Sequence, residues 1–331
     1  MKNVYLASVG ARSGKSVISL GLAMNYPGKV GFYKPFRESL IKVNGEILDQ
    51  DAWLMAEVLK LEEGKKLSPF SYSIFEPVSI DDIVKGYKEL RKGKEFMIIE
   101  GSKEFTNGCA HDLSHLDIAK ALDAPVILVS TSSQLSIDTV FMFRDLCEKS
   151  GLDMLGVVLN KCSDSPERKF LEQRGIRVLG EVPMIPELRT FRVSEISEKM
   201  DAKVIAGAGG MDNIVETMLV GAMSTQTAIR YMRRSRRKAV ITGGDRTEIQ
   251  LAALATDTAC MIVTGGIRPS HTVLSRANEI NVPVLITNED TLHVTETIEQ
   301  LIARIDPKDK EKIELVRKHV RLGVDLGSVW R

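Results

Sequence analysis

Apolar runs separated by helical periodicity recur along the first half of the chain: Asn3 to Ala7, Lys29 to Tyr33, Phe96 to Ile99, Pro125 to Val129, Gly156 to Leu159 and Arg177 to Leu179. Strands that are apolar at nearly every position, each followed by a helix, belong to a parallel sheet buried on both faces. The pattern predicts a doubly wound, mostly parallel α/β domain. Val182-Pro183-Met184-Ile185-Pro186 breaks the alternation, and the following stretch from Glu187 to Met211 reads as irregular, glycine-rich near Gly207 to Gly210. The boundary is therefore placed here, giving a first domain over 1–188, a second over 189–306 and a charged helical tail over 307–331.

Beyond that boundary an apolar strand ending in Thr and a turn residue occurs three times: Ala239 to Gly244, Met261 to Gly266 and Val284 to Asn288. The threonines lie about 22 residues apart, the span of one strand-turn-helix unit. One such unit cannot bury its own apolar face, so the three are expected in one small parallel sheet. Helices Glu248 to Ala255, His271 to Glu279 and Thr291 to Ile305 would cover it, giving a smaller three-layer α/β domain. The tail is expected to be helical from Pro307 to about Leu322.

Composition narrows the functional classes. With 331 residues and 44% hydrophobic content the chain can bury two cores. Lys and Arg total 45 against 44 Asp and Glu, which leaves no overall field to draw in nucleic acid or an anionic membrane. The basic run Arg233-Arg234-Ser235-Arg236-Arg237-Lys238 has no interleaved aromatics and reads as a solvated face. The four cysteines have no paired spacing, Met1 leads into a strand instead of a signal peptide, and no apolar run approaches the roughly 20 residues of a membrane span. A cytoplasmic protein with small-molecule partners, and with neither nucleic-acid nor membrane partners, is expected.

The strongest chemical signal is Ala7-Ser8-Val9-Gly10-Ala11-Arg12-Ser13-Gly14-Lys15-Ser16, between the first strand and the helix that opens after it. In such a loop main-chain N–H groups and the helix N-terminus cradle phosphates, Lys15 reaches β and γ oxygens, and Ser16 ligates Mg²⁺. Gly10, Arg12, Ser13, Gly14, Lys15, Ser16 and Val17 are the expected nucleotide-binding residues. The usual pattern has glycine where this chain has Val9, and a plain glycine turn with an exposed lysine is the competing reading. Lys34-Pro35, Glu100-Gly101 and Asn160-Lys161 fall at the ends of further strands, where ligands of open parallel sheets collect. Carboxylates at such positions suit Mg²⁺, so Ser16, Asp51 and Glu100 form the expected metal set.

These residues carry a resemblance. The loop ending Gly14-Lys15-Ser16, Lys34-Pro35, Asp51-Ala52, Glu100-Gly101, Asn160-Lys161 and Gly180-Glu181-Val182-Pro183 resemble the dethiobiotin synthetase and cobyrinate diamide synthase group of P-loop proteins. With Ile118-Ala119-Lys120, the first domain is similar to the N-terminal domain of long-form phosphotransacetylases. Thr242-Gly243-Gly244-Asp245-Arg246-Thr247, followed by Thr264-Gly265-Gly266 and Val282-Pro283-Val284, resembles the DRTGG domain of those enzymes. The resemblance implies ATP and Mg²⁺ as cofactors, phosphate or carboxylate contacts from the catalytic candidates Lys15 and Lys34, base reading by Asn160, and a homodimer. The glycine-rich turn that follows Glu100-Gly101 in dethiobiotin synthetases is Ser102-Lys103-Glu104-Phe105-Thr106-Asn107-Gly108 here. The stretch after Arg304 is shorter than a catalytic acetyltransferase domain, so phosphotransacetylase activity is not expected.

Two weaker constellations complete the reading. Cys109, His111 and His115 lie close together, with the histidines at a helical spacing, but packing or capping accounts for them better than a metal. Gly243, Gly244, Asp245, Arg246, Thr264 and Gly265 end neighbouring strands, either as a second anion site for an unknown small molecule or as tight turns with Asp245 capping the next helix. Three functions follow: a nucleotide-dependent sensor or regulatory protein, an ATP-dependent carboxylate-activating ligase, and an assembly protein with an inactive loop.

Overall fold

The computed structural model describes residues 2–221, 223–302 and 305–330. The chain divides into two compact units, one formed by 1–185 together with 305–331 and one by 186–304. The first contains six parallel strands: β1 (Lys2–Ser8), β2 (Val30–Tyr33), β3 (Phe96–Glu100), β4 (Val126–Ser130), β5 (Met154–Asn160) and β6 (Val178–Val182), in the order β6-β5-β4-β1-β3-β2. β2, β3 and β4 are buried along their whole length, as the unbroken apolar runs require. The order reverses beside β1, where Leu6 pairs with Glu100 on one side and Ser8 with Val129 on the other.

Only the β1 to β2 crossover runs outward in one direction; those from β2 to β6 run in the other. The right-handed crossover rule therefore places helix Lys15–Asn25 on one face and helices Ile80–Leu90, His115–Ala121, Gln134–Ser150 and Pro166–Gln173 on the opposite face. Helix Gln50–Leu59 contacts Lys15–Asn25 and β2, which covers one flank of that face and leaves the flank towards β6 open. Helix Lys310–Gly323 lies beside Lys15–Asn25 and completes the layer, burying Ile313, Val316 and Val320. Asn25 Nδ2 donates to the Arg317 carbonyl (2.9 Å), Asp325 N–H donates to the Leu179 carbonyl (2.8 Å) at the edge of β6, and Trp330 packs edge-on against Tyr26. The charged tail is thus an integral part of the first unit: its hydrophobic stripe is narrow, and the polar residues between carry the charge that dominated its sequence.

In the second unit β7 (Lys203–Ala206), β8 (Thr217–Val220), β9 (Lys238–Gly243), β10 (Thr258–Thr264) and β11 (Val284–Ile286) form one sheet in the order β7-β11-β10-β9-β8. β8 to β11 are parallel, and β7 joins antiparallel to β11. Three repeats were expected; two further strands extend them. The stretch read as irregular holds helix Val193–Met200 and β7. β7 is an edge strand whose first two residues are exposed, so its sequence lacks the alternation that marks a half-buried strand. Val193, Ile196, Ile241, Ile262, Leu285, Val294 and Ile298 fill one core layer, and Met261, Val263, Val273 and Val284 fill another on the other side. The three-layer arrangement is as the repeats implied.

Lys238, the last residue of the basic run, is buried at the start of β9 and donates to the Ser235 and Asp257 carbonyls, while Arg237 pairs with Glu216 at 3.3 Å. The four arginines of the run are exposed. No helix of the described residues is long and apolar enough to cross a membrane.

Gly21 lets the two helices approach: a Cβ there would overlap the stiff Val320 side chain. Gly21→Ala should therefore destabilise the protein by about 1–3 kcal/mol, against the gain of Ala over Gly expected in an ordinary helix. Adding Val320→Ala should recover part of the loss in a thermal melt. A stabilising Gly21→Ala would show that the tail does not pack on this helix.

Candidate functional site

The first-unit site is assembled at the carboxyl ends of β1, β2, β3 and β5. The loop after β1 turns through two left-handed positions, Arg12 (φ 63°) and Gly14 (φ 87°). Val9 is not among the residues with positive φ, so the missing glycine costs no backbone strain. Ser13 Oγ donates to the Gly10 carbonyl (2.6 Å), and Asn160 Nδ2 donates to the Ser13 carbonyl (2.8 Å). Asn160 also packs where a Cβ of Gly14 would be, which requires glycine there. Gly14 is the N-cap of helix Lys15–Asn25 and supplies no side-chain cap; its carbonyl accepts from Val17 N–H (3.1 Å). The first N–H groups of this helix have no intrahelical partner and no acidic residue in the first turn, the arrangement that receives a phosphate.

Lys15 and Lys34 are both buried, at 6% and 1% exposure, so each ammonium needs protein or ligand acceptors. Lys15 Nζ donates to the Gly101 carbonyl and to the Ser102 carbonyl (2.7 Å). Burial holds Lys15 below the ordinary lysine range, the Lys34 charge adds to this, and Glu100 opposes it. Lys34 Nζ lies 2.6 Å from Asp51 Oδ2, 3.1 Å from Asp49 Oδ2 and 3.7 Å from Glu38 Oε2. Burial disfavours its charge, but Asp51, Asp49, Glu100 and Glu38 together hold Lys34 above the ordinary range. The same burial opposes ionisation of Asp51, yet Lys34, Lys15 and the Ser16 hydroxyl outweigh it and keep that carboxyl below the usual range.

Ser16 Oγ donates to Glu100 Oε1 at 2.9 Å. The other oxygen, Glu100 Oε2, is buried and has no hydrogen-bond partner among the described residues. Burial and the neighbouring Asp51 push Glu100 up from the ordinary carboxylate range. A hydroxyl beside a carboxylate with a spare buried oxygen fits a hard cation, since Mg²⁺ takes one or two protein oxygens and fills its remaining positions with phosphate and water. Ser16 and Glu100 would hold it, with Asp51 beside them. The site residues expected around the phosphate loop are thus brought together. Asp49 and Glu38 were missed, and only a topology that brings residues 38–51 to the end of β2 could have pointed to them.

The histidine constellation is dispersed. His111 sits in a single 3₁₀ turn with Nε2 on the Ile74 carbonyl (2.8 Å), while His115 starts the next helix and is buried, with Nδ1 3.0 Å from Tyr5 Oη. The left-handed Asp112 and the N-cap Ser114 separate the two, so they do not share a helix face. No group of three or more His, Cys, Asp or Glu arranged for a metal occurs among the described residues.

In the second unit, Gly243, Gly244, Asp245, Thr264 and Gly265 lie at the ends of β9 and β10. The N-cap of helix Thr247–Leu254 is Arg246, without a side-chain cap bond. Arg246 donates to the Gly221 carbonyl (2.6 Å) and the Met223 carbonyl (2.9 Å), and Thr264 Oγ1 lies 3.2 Å from Thr291 Oγ1. A cavity of about 690 Å³ lies at the amino ends of β2 and β3, where Lys29, Lys60 and Lys92 gather around the carboxyl ends of helices. Cations offset those negative helix ends, so this basic hollow needs no anionic ligand to explain it.

A family model described as AAA domain matches residues 2–192. The chain belongs to this AAA domain family. The DRTGG domain model matches residues 195–301. Over 98% of its length the chain is 24% identical to phosphate acetyltransferase of Nitratidesulfovibrio vulgaris, of which the match covers 51%. It is 22% identical over 60% of its length to ATP-dependent dethiobiotin synthetase of Nitrosopumilus maritimus, covering 96% of that protein. The cell division ATPase MinD of Pyrococcus furiosus aligns at 16% identity and a TM-score of 0.40, over 57% of this chain and 86% of that one. The chain spans about half the length of the phosphate acetyltransferases it matches. This AAA domain protein therefore pairs a P-loop unit with a DRTGG unit, in the order found in the N-terminal region of long-form phosphotransacetylases.

Burial, reinforced by the nearby Lys15 charge, pulls His115 down from 6.5 to about 3. Between these values the unfolded chain binds a proton that the folded chain does not, so stability is full above about 6.5 and falls as the pH drops towards 3. His115→Gln should flatten that part of the stability curve in denaturant titrations. Equal slopes for variant and parent would mean that His115 is not buried in the neutral form.

Proposed function

We propose that this chain is a regulatory protein that binds Mg²⁺ and ATP at the phosphate loop and a second small molecule at the DRTGG unit. The observation that carries the reading is the hydrogen bond from Ser16 to Glu100 (2.9 Å), beside a buried and unpartnered Glu100 oxygen, at the mouth of a helix N-terminus. In this reading phosphate oxygens replace the carbonyls now held by Lys15, and the cation takes Ser16 and Glu100. ATP is favoured as the nucleotide because relatives matching this unit are named ATP-dependent dethiobiotin synthetases. Asn160, whose amide nitrogen is committed to the loop carbonyl, contributes mainly by bracing the loop in our reading.

The ligase reading asks Lys34 to steady an acyl phosphate or a substrate carboxylate. That ammonium is already surrounded by Asp49, Asp51 and Glu38, which weighs against a second anion beside it. Acetyl transfer is not proposed, because the chain covers only about half of the relatives that carry that name.

Mg·ATP should raise the melting temperature of the full chain, because a ligand that binds the folded state alone stabilises it by mass action. Lys15→Ala should remove most of that rise. Equal rises in the variant and the parent would rule out the phosphate loop as the binding site.

A further inference from the structure

Asp49 carries no role in the expected site, yet its buried carboxylate joins three parts of the chain. Oδ1 accepts from the N–H groups of Asp51 (3.0 Å) and Ala52 (3.1 Å), capping helix Gln50–Leu59. Oδ2 accepts from the N–H groups of Glu38 (2.9 Å) and Ser39 (3.4 Å), which follow the strand end at Lys34. Both oxygens also accept from Lys34 Nζ, at 3.2 and 3.1 Å. An ammonium has three protons, and here three carboxylate oxygens lie within 3.2 Å of the nitrogen: two from Asp49 and one from Asp51. Glu38 lies on a further side, and its other oxygen accepts from Lys103 N–H (2.8 Å), tying this cluster to the turn that holds Lys15.

We infer that Asp49 is a positioning residue that fixes Lys34 as an internal counter-charge, so that the space beside the phosphate loop rejects an anionic second ligand. The consequence for ligand choice rests on the nucleotide-site reading; the clamp on Lys34 does not. Lys34 stays with the protein because moving it to an incoming phosphate or carboxylate would strip buried Asp49 and Asp51 of their partner, a loss larger than one exposed ion pair returns. Asp49→Asn separates the two duties of the residue. Asparagine caps a helix as well as aspartate does, but it removes the charge and turns an amide towards Lys34.

Acylation of the full-length protein with acetic anhydride, read by mass spectrometry, reports the clamp without any nucleotide. Lys34 should stay unmodified in the parent while the exposed Lys29, Lys60 and Lys92 are labelled, and Asp49→Asn should raise Lys34 labelling by roughly tenfold. Calorimetric titration with inorganic phosphate and with acetate should show binding in Asp49→Asn that is absent in the parent and lost again when Lys34→Met is added. If Asp49→Asn fails to fold, Asp49→Glu, which keeps the charge but moves it by one methylene, should give intermediate labelling. Equal labelling in parent and variants overturns the clamp. A gain in phosphate binding that survives Lys34→Met overturns the assignment of that gain to Lys34.

Discussion

Buried charge must be paired, and that constraint organises the first unit. Lys15, Lys34, Asp49 and Glu100 are nearly inaccessible to water at the ends of three neighbouring strands, and each would cost several kcal/mol if left alone in a dry interior. With Glu38 and Asp51, four carboxylates face two ammonium groups, leaving negative charge in excess when all are ionised. Burial first, and the neighbouring Asp51 charge second, push Glu100 up. A divalent cation at Ser16 and Glu100 would relieve the repulsion and at the same time make the crevice tolerable to a triphosphate. The nucleotide is expected only together with the metal, because a bare triphosphate adds to the negative excess that the cation relieves.

A second constraint comes from topology. A parallel sheet has two faces to bury, and on the face of helix Lys15–Asn25 helix Gln50–Leu59 covers the β2 side only, leaving the β6 side open. The chain solves this after the second unit, when helix Lys310–Gly323 settles against the helix that begins at Lys15. The first unit is therefore discontinuous in sequence, and a fragment ending near Pro186 would lack Val316, Val320 and the edge contact from Asp325 to Leu179. The helix that opens the phosphate loop is backed by residues that lie some three hundred positions later.

Legibility in the sequence followed the physics of each signal. The buried strands were plain because a strand covered on both faces is apolar throughout, and Gly14-Lys15-Ser16 was plain because loop chemistry is written in consecutive residues. Lys203–Ala206 was not plain, since two successive exposed residues at this edge strand break the alternation of a half-buried strand. The tail's helix was legible, but not its docking, because the narrow stripe of Ile313, Val316 and Val320 is hidden among charges. Asp49 was illegible for a different reason: its partners Lys34 and Glu38 precede the hairpin of Leu40–Val43 with Glu46–Asp49, and only the fold brings them to one carboxylate. For Asp245 a place in a second anion site and a helix cap were both open; the N-cap position belongs to Arg246, whose guanidinium holds the Gly221 and Met223 carbonyls.

The central claim is that a negatively charged crevice accepts nucleotide only together with a divalent cation. Calorimetric titration of ATP into the full chain, once with Mg²⁺ and once with a chelator, addresses it directly. The account predicts saturable binding with Mg²⁺ and none, or binding weaker by at least roughly a hundredfold, without it. Equal affinity under both conditions would contradict the account, because a bare triphosphate would then be accepted beside Glu38, Asp49, Asp51 and Glu100 without the charge that is supposed to reconcile them.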